Sequence, residues 1–124
     1  MDMKLELVPL PVADVERSKA FYIETVGFNL DHDVQPGNGM RIVQLTPPGS
    51  ACSIVIGAGM GNNSPADGTV KGLHLVVDDI AAACEQLVGR GAAISDIQDM
   101  GGVKFAYFSD PDGNSWALQE MGDM

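Results

Sequence analysis

Residues 7–18 read LVPLPVADVERS and residues 72–83 read GLHLVVDDIAAA. Laid against each other, the two stretches share one pattern. Each is an extended apolar run that closes on an aspartate, Asp14 in the first and Asp79 in the second. An aspartate at that place predicts a helix start, because its carboxylate accepts backbone N–H groups of the first turn that have no partner within the helix. The next residues have helical period. Val15, Ser18, Tyr22 and Val26 form one face, helped by Phe21, with Gly27 as the stop; Ile80, Cys84, Leu87 and Val88 form the other, closed by Gly89 and Gly91.

The repeat resumes downstream. TPPGSACSIVIG at 46–57 matches DPDGNSWALQEM at 110–121, with one interval separating Pro47 from Pro111 and Gly49 from Gly113. Proline presets one turn dihedral and glycine accepts a positive φ, so each stretch is a turn between strands. The flanking runs MRIVQL at 40–45 and VKFAYF at 103–108 have strand composition. Phe28 to Val34 and Ala92 to Ile97 are expected to supply the second strand of each half. GAGMGNNSPADGT at 57–69 has no periodicity and reads as a linker. The expected fold is α+β: two βαβββ modules forming a strongly bent mixed sheet with helices on the outside. It is read as a single domain over 1–124, with module one at about 1–57, the linker at about 58–70 and module two at about 71–122.

Composition agrees with a folded chain of this size. The 124 residues are 45% hydrophobic and 19% charged, and one core accounts for that length. Seven Lys and Arg against seventeen Asp and Glu leave a net charge of −10, which repels phosphate backbones and anionic lipid. Nucleic acid and membrane are therefore not expected partners, whereas a cationic ligand would be attracted. The N-terminus carries Asp2, Lys4 and Glu6 in place of an apolar signal segment, and no run approaches the roughly 20 apolar residues of a membrane span. A cytoplasmic protein is expected, with Cys52 and Cys84 as reduced, buried thiols.

VADVERSKAFYIETVGF at 12–28, LVVDDIAAACEQLVGRGA at 75–92 and FSDPDGNSWALQE at 108–120, in this order, resemble the vicinal oxygen chelate superfamily: glyoxalase I, bleomycin resistance proteins, extradiol dioxygenases and fosfomycin-resistance enzymes. QLTPPGSACSIVIG at 44–57 is similar to uncharacterised bacterial glyoxalase-like proteins, a fold that does not by itself settle an activity. The resemblance implies a divalent metal held by one His, Glu or Gln on the first and the last strand of each module. Counted back from the helix caps, those places are Leu7 and Gly72; counted forward from the DPDG turn, the last-strand place is Ala117, and the repeat interval carries it onto Ser53. Leucine, glycine and alanine have no donor, so no metal and no other cofactor is expected.

His74 shares a strand face with Gly72, and Ser115 and Gln119 share one with Ala117, whereas Glu6 and Glu120 have the opposite parity. That leaves one imidazole and weak neutral donors. His32, between Asp31 and Asp33, reads as a solvated edge position. Gly57, Gly59 and Asn62 break the dinucleotide-binding pattern, and Asp110 to Asn114 reads as a turn, since Met121 occupies the twelfth place of a would-be calcium loop. Ser53 with His74 lacks an orienting carboxylate, so no catalytic residue is assigned.

The remaining feature is a mostly apolar cavity. Its expected ligand-binding residues are Leu7, Ser53, His74, Phe105, Tyr107, Ala117 and Gln119, and its wider walls include Leu5, Pro9, Val55, Val76 and Ser115. Trp116, Phe108 and Leu118 fall on the opposite, helix-facing side. Three readings stand. The first is a metal-free small-molecule binding protein of the bleomycin resistance type, taking an organic, cationic or aromatic ligand in the concave sheet cavity. The second is a metal-dependent lyase, isomerase or dioxygenase of the glyoxalase type with a rearranged ligand set that includes His74. The third is a protein whose concave faces are consumed by homodimerisation. Members resembling this chain commonly pair, so a homodimer is expected.

Overall fold

The computed structural model describes residues 1–59 and 64–122, Asp67 by its backbone alone. The chain divides into two compact units, Met1–Thr69 and Val70–Met124. Each is a βαβββ module, and each contributes its own open, curved, four-stranded mixed sheet to the α+β fold. Of the expected linker, Ser64 caps a short 3-10 turn at Pro65–Asp67, and residues 60–63, Asn62 among them, lie outside the described residues.

In the first unit β1 (Leu7–Pro9) runs parallel to β4 (Ser53–Ala58), which is followed outward by β3 (Met40–Thr46) and β2 (Asn29–Gly37), both antiparallel. Asp14 is extended, and its carboxylate accepts the Arg17 N–H at 3.2 Å, which starts α1 (Val15–Ala20). The helix then widens into a π-helical segment, Phe21–Val26. It ends where the Gly27 and Phe28 N–H groups both donate to the Tyr22 carbonyl, at 2.9 and 2.8 Å. Gly27 has φ 90°, a conformation that costs a residue with a Cβ. Tyr22 is fully buried, stacked on Phe28 with centroids 5.4 Å apart and edge-on to Phe21 at 5.1 Å. Leu10, Val43, Leu45, Ile54 and Ile56 complete this core.

The second unit repeats the order with β5 (Leu73–Val76), β8 (Ser115–Glu120), β7 (Val103–Ser109) and β6 (Gln98–Met100). α2 (Ile80–Gly89) is capped twice: Asp79 accepts the Ala82 N–H at 3.1 Å, and Glu120, reaching from β8, accepts the Ile80 N–H at 3.0 Å. Ile80 and Leu87 are buried and Cys84 is half-buried. Val88, expected on the same face, is instead 57% exposed. At 3.6 residues per turn it lies roughly 80° round from Ile80, whereas Leu87 lies within about 20°. Trp116 stacks on Phe108 at 6.2 Å, and both are buried with Leu118.

The second strand of this unit begins later than expected, at Gln98 in place of Ala92. The reason is local. Ser95 donates its N–H to the Tyr107 carbonyl at 2.9 Å, but the Tyr107 N–H returns to the Ser95 hydroxyl, also at 2.9 Å. A side chain thus stands in for the backbone acceptor and interrupts the ladder.

The two matching turns are held differently. In the second, the buried Asp110 carboxylate accepts the backbone N–H groups of Asp112 and Asn114, both at 2.9 Å, and the Asn114 side-chain amide at 2.8 Å. Asn114, itself fully buried, accepts the Val70 N–H at 2.9 Å and so ties the start of the unit to its last turn. In the first, a lighter arrangement uses Ser50, whose hydroxyl exchanges bonds with the Cys52 backbone.

Candidate functional site

Two sheet faces carry the expected site residues, one in each unit. On the second unit, His74, Ala117 and Tyr107 stand in register across β5, β8 and β7, and Val76, Gln119 and Phe105 form the next rung. His74 and Gln119 meet, with Nδ1 2.8 Å from Oε1. The Gln119 amide nitrogen donates to the Met121 sulfur at 2.9 Å, which leaves Oε1 as the acceptor and assigns the imidazole proton to Nδ1. In the neutral ring Nε2 is then an open acceptor. The His74 ring lies edge-on to Phe105, with centroids 6.0 Å apart, and Phe105 is parallel to Tyr107 at 6.4 Å.

Two of these rings, His74 and Tyr107, border a cavity of about 520 Å³ lined also by Gly72, Ala93, Ser115 and Ala117, among others. That size suits a small organic ligand. Phe105 and Gln119 lie one rung along and support the wall through Tyr107 and His74. Gly72 has φ 78° and nothing within 4 Å of where a Cβ would sit, so the floor there is bare backbone. Tyr107 is 41% exposed and Val76 66%, an unusual degree of exposure for residues so apolar.

On the first unit Leu7 pairs with Ser53 across β1 and β4. Ser53 is buried, and its hydroxyl accepts from Gln44 Nε2 at 3.2 Å and lies 2.6 Å from the Thr46 hydroxyl. Thr46 in turn donates to Asp31. The parity of β4 follows from these bonds, since Gln44, Thr46 and Ser53 share one face. Gln44, Thr46 and Asp31 were not among the expected site residues. The first two were legible from the alternation of β3. Asp31 was not, because a bulge between Leu30 and His32 re-aims it.

An ion network, also unanticipated, holds the other end of this unit. The Asp33 carboxylate accepts both Arg41 Nε, at 3.1 Å, and Nη2, at 2.8 Å, together with Lys19 Nζ at 2.6 Å, while Arg41 also pairs with Glu16. Hydrogen bonds from Arg41 and then Lys19 hold the Asp33 carboxyl well below the usual carboxylate range, and those to Asp33 and Glu16 hold the Arg41 guanidinium above its own. The adjoining cleft of about 640 Å³ includes Asp14, Glu16, Gln35 and Arg41 in its walls. Its arginine is already committed to two carboxylates, so it makes a poor anion site.

The residues at the four places inferred for a divalent metal do not fit one. The four inferred places hold Leu7, Ser53, Gly72 and Ala117, and the one oxygen among them, on Ser53, is bound into the chain with Thr46 and Gln44. Nor do three or more His, Cys, Asp or Glu gather anywhere among the described residues. His74 has an amide beside it in place of a carboxylate. Both cysteines are free and half-buried rather than buried, and burial pushes the Cys84 thiol up, away from reactive thiolate. Among the described residues no helix is long and apolar enough to cross a membrane.

The chain is 37% identical to TnmS3, an antibiotic binding protein from Streptomyces sp. CB03234, over 98% of each chain, with a TM-score of 0.84. It is 40% identical to a glyoxalase/bleomycin resistance protein from the same Streptomyces, over 93% of this chain and 98% of that one, with a TM-score of 0.78. A superfamily member from Sphaerobacter thermophilus DSM 20745 is 29% identical over 96% and 98%, with a TM-score of 0.79. No curated protein matches the chain. The family model for the Glyoxalase/Bleomycin resistance protein/Dioxygenase superfamily matches residues 4–118, and with the module repeat, the strand order and these relatives it establishes that the chain belongs to that superfamily.

Proposed function

We propose that this chain is a metal-free protein that binds an organic, aromatic or cationic small molecule without transforming it. The observation that carries the reading is the cluster of His74, Phe105 and Tyr107 on an open sheet face beside a cavity of about 520 Å³. The parallel rings of half-buried Phe105 and exposed Tyr107 offer a stacking surface, and the open Nε2 of His74 supplies the polar anchor. Likeness to an antibiotic binding protein, at 37% identity, supports small-molecule binding, and Leu7, Gly72 and Ala117 carry no donor for a metal. The net charge of −10 favours a cationic ligand.

Calorimetry against a panel of aromatic and cationic compounds tests this. Loss of a hydrogen-bond partner in a desolvated site costs about 1–3 kcal/mol, so His74→Ala is expected to weaken binding roughly tenfold or more, and Ala117→Phe is expected to abolish it by filling the cavity. Binding that survives Ala117→Phe unaltered would place the site elsewhere. Elemental analysis separates this reading from the enzymatic one: about one equivalent of Zn, Ni, Mn or Fe, lost in His74→Ala, would replace it with a glyoxalase-type lyase, isomerase or dioxygenase. We also propose a homodimer, in which pairing covers exposed strand edges. Light scattering that returns 13.0 kDa across dilution would refute it.

A further inference from the structure

The hydrogen bonds on the first unit's face have only one self-consistent direction. Asp31, as a carboxylate, only accepts, so the single Thr46 proton goes to it. Thr46 then meets Ser53 as an acceptor, so the single Ser53 proton goes to Thr46. Ser53 is left to accept, which requires the amide nitrogen of Gln44 to face it, as it does at 3.2 Å. Every proton in the chain therefore runs toward Asp31. What the chain presents outward is acceptors alone: the second oxygen of Asp31 at one end and the Gln44 Oε1 at the other, neither with a hydrogen-bond partner among the described residues. Asp31 is exposed and Gln44 half-buried, so both oxygens belong to accessible side chains, whereas Ser53 between them is buried and cannot turn to offer a proton.

We infer that this face is a polar subsite of the first unit, specific for an amino group, with Asp31 as the recognising carboxylate and Thr46 and Ser53 as positioning residues that hold the order of protons. The inference rests on the reading of the chain as a small-molecule binder and names the chemistry that binder selects. An amine donates to the open Asp31 oxygen, and a protonated one also neutralises the carboxylate. A carbonyl or ether oxygen meets only acceptors and is rejected.

The test uses two planar dyes, proflavine and acridine orange. Both are acridinium monocations at neutral pH, so the pull of the protein's net charge is common to them, but the amino N–H donors of proflavine are methylated in acridine orange. Fluorescence titration of the wild-type protein is expected to show proflavine bound roughly tenfold more tightly. In Asp31→Ala, an exposed position whose loss leaves the core intact, proflavine is expected to weaken to the level of acridine orange, which itself is unchanged. Thr46→Val, which cuts the chain while keeping its shape, is expected to reduce the preference by part of that factor. A preference that persists in Asp31→Ala, or that vanishes because acridine orange tightens, would overturn the subsite, the latter by showing that the methyl groups had merely been excluded. His74→Ala separates the two ideas. If it weakens both dyes while Asp31→Ala changes neither, the binding reading stands and the subsite falls. If Asp31→Ala removes the preference while His74→Ala changes nothing, the subsite stands and the aromatic face loses its role. Failure of either dye to bind the wild-type protein would count against both.

Discussion

The two modules have one strand order and one way of starting a helix, yet their matching positions do opposite work. Position 46 in the first is Thr46, a link in an outward-facing polar chain; its counterpart Asp110 is buried and knits a turn. Ser53 is bound into that chain, whereas its counterpart Ala117 is the smooth floor between His74 and Tyr107. The first module has its charges clamped in the Asp33 network and its polar groups aligned; the second exposes rings and holds its own turn rigid. A repeated scaffold thus supplies one face built for polarity and one for stacking.

The largest expected effects probe whether the cores are as alike as the strand orders. Tyr22→Ala in the first module and Trp116→Ala in the second each empty a buried aromatic site and are expected to cost about 3–5 kcal/mol, measured by urea denaturation. A Trp116 variant that loses less than about 1 kcal/mol would mean that the second core closes around the gap and that the modules differ in rigidity as well as in face.

Asp110→Ala sharpens the contrast between the turns. It removes the acceptor of two backbone N–H groups and one amide, and at about 1–3 kcal/mol for an unsatisfied buried donor the total is expected to reach about 2–3 kcal/mol after partial rescue by water. Ser50→Ala, at the lighter turn, is expected to stay within about 1 kcal/mol. Equal losses in the two variants would remove the distinction.

Acid should reach the first module before the second. The Asp33 carboxyl in the folded protein sits below its value in the unfolded chain, which is about 3.9. Its contribution is therefore complete above that value and is lost as pH falls through the folded one, because the unfolded chain takes up the proton first. Asp33→Asn is expected to flatten the decline of stability below about pH 4. Hydrogen exchange should locate the acid loss in residues 15–46, not in the second module, where Lys104 and Glu120 stand 3.7 Å apart.

The smallest effect concerns the extra cap. Glu120→Gln is expected to cost about 0.5–1 kcal/mol, since the amide still accepts the Ile80 N–H but no longer places a charge at the helix start. A larger loss, seen by thermal denaturation, would make Glu120 a second keystone of α2 rather than a supplement to Asp79.

Much of this was legible from residues alone, and the reasons are physical. Helix starts at Asp14 and Asp79, the Gly27 stop and the two Pro–Gly turns are local chemistry, and local chemistry is written in consecutive residues. Counting matched Ser53 with Ala117, but it matched Leu7 with Gly72, whereas the register sets His74 opposite Ala117 as Leu7 stands opposite Ser53, because the run from strand to helix cap is shorter in the second module. What escaped were features made by residues distant in sequence or by one inserted residue. The bulge at Leu30 to His32 shifts Asp31 into the polar chain, and no alternation rule contains it. The delayed β6 depends on a hydroxyl at Ser95 displacing a carbonyl. The partners of Asp33 come from α1 and β3, and charge spacing along the chain does not foretell that meeting.

Each sheet is made wholly from strands of its own half of the chain. During synthesis, then, the first sheet has all four of its strands once β4 has left the ribosome. The β2–β3 hairpin closes a short loop and can form early; docking of β1 beside β4 spans nearly the entire half and, by loop-closure entropy, comes late. The same sequence of events is available to the second half when its turn comes. A chain arranged this way can complete one sheet before the other has been made, which limits the time during which an unfinished sheet edge is exposed to its neighbours.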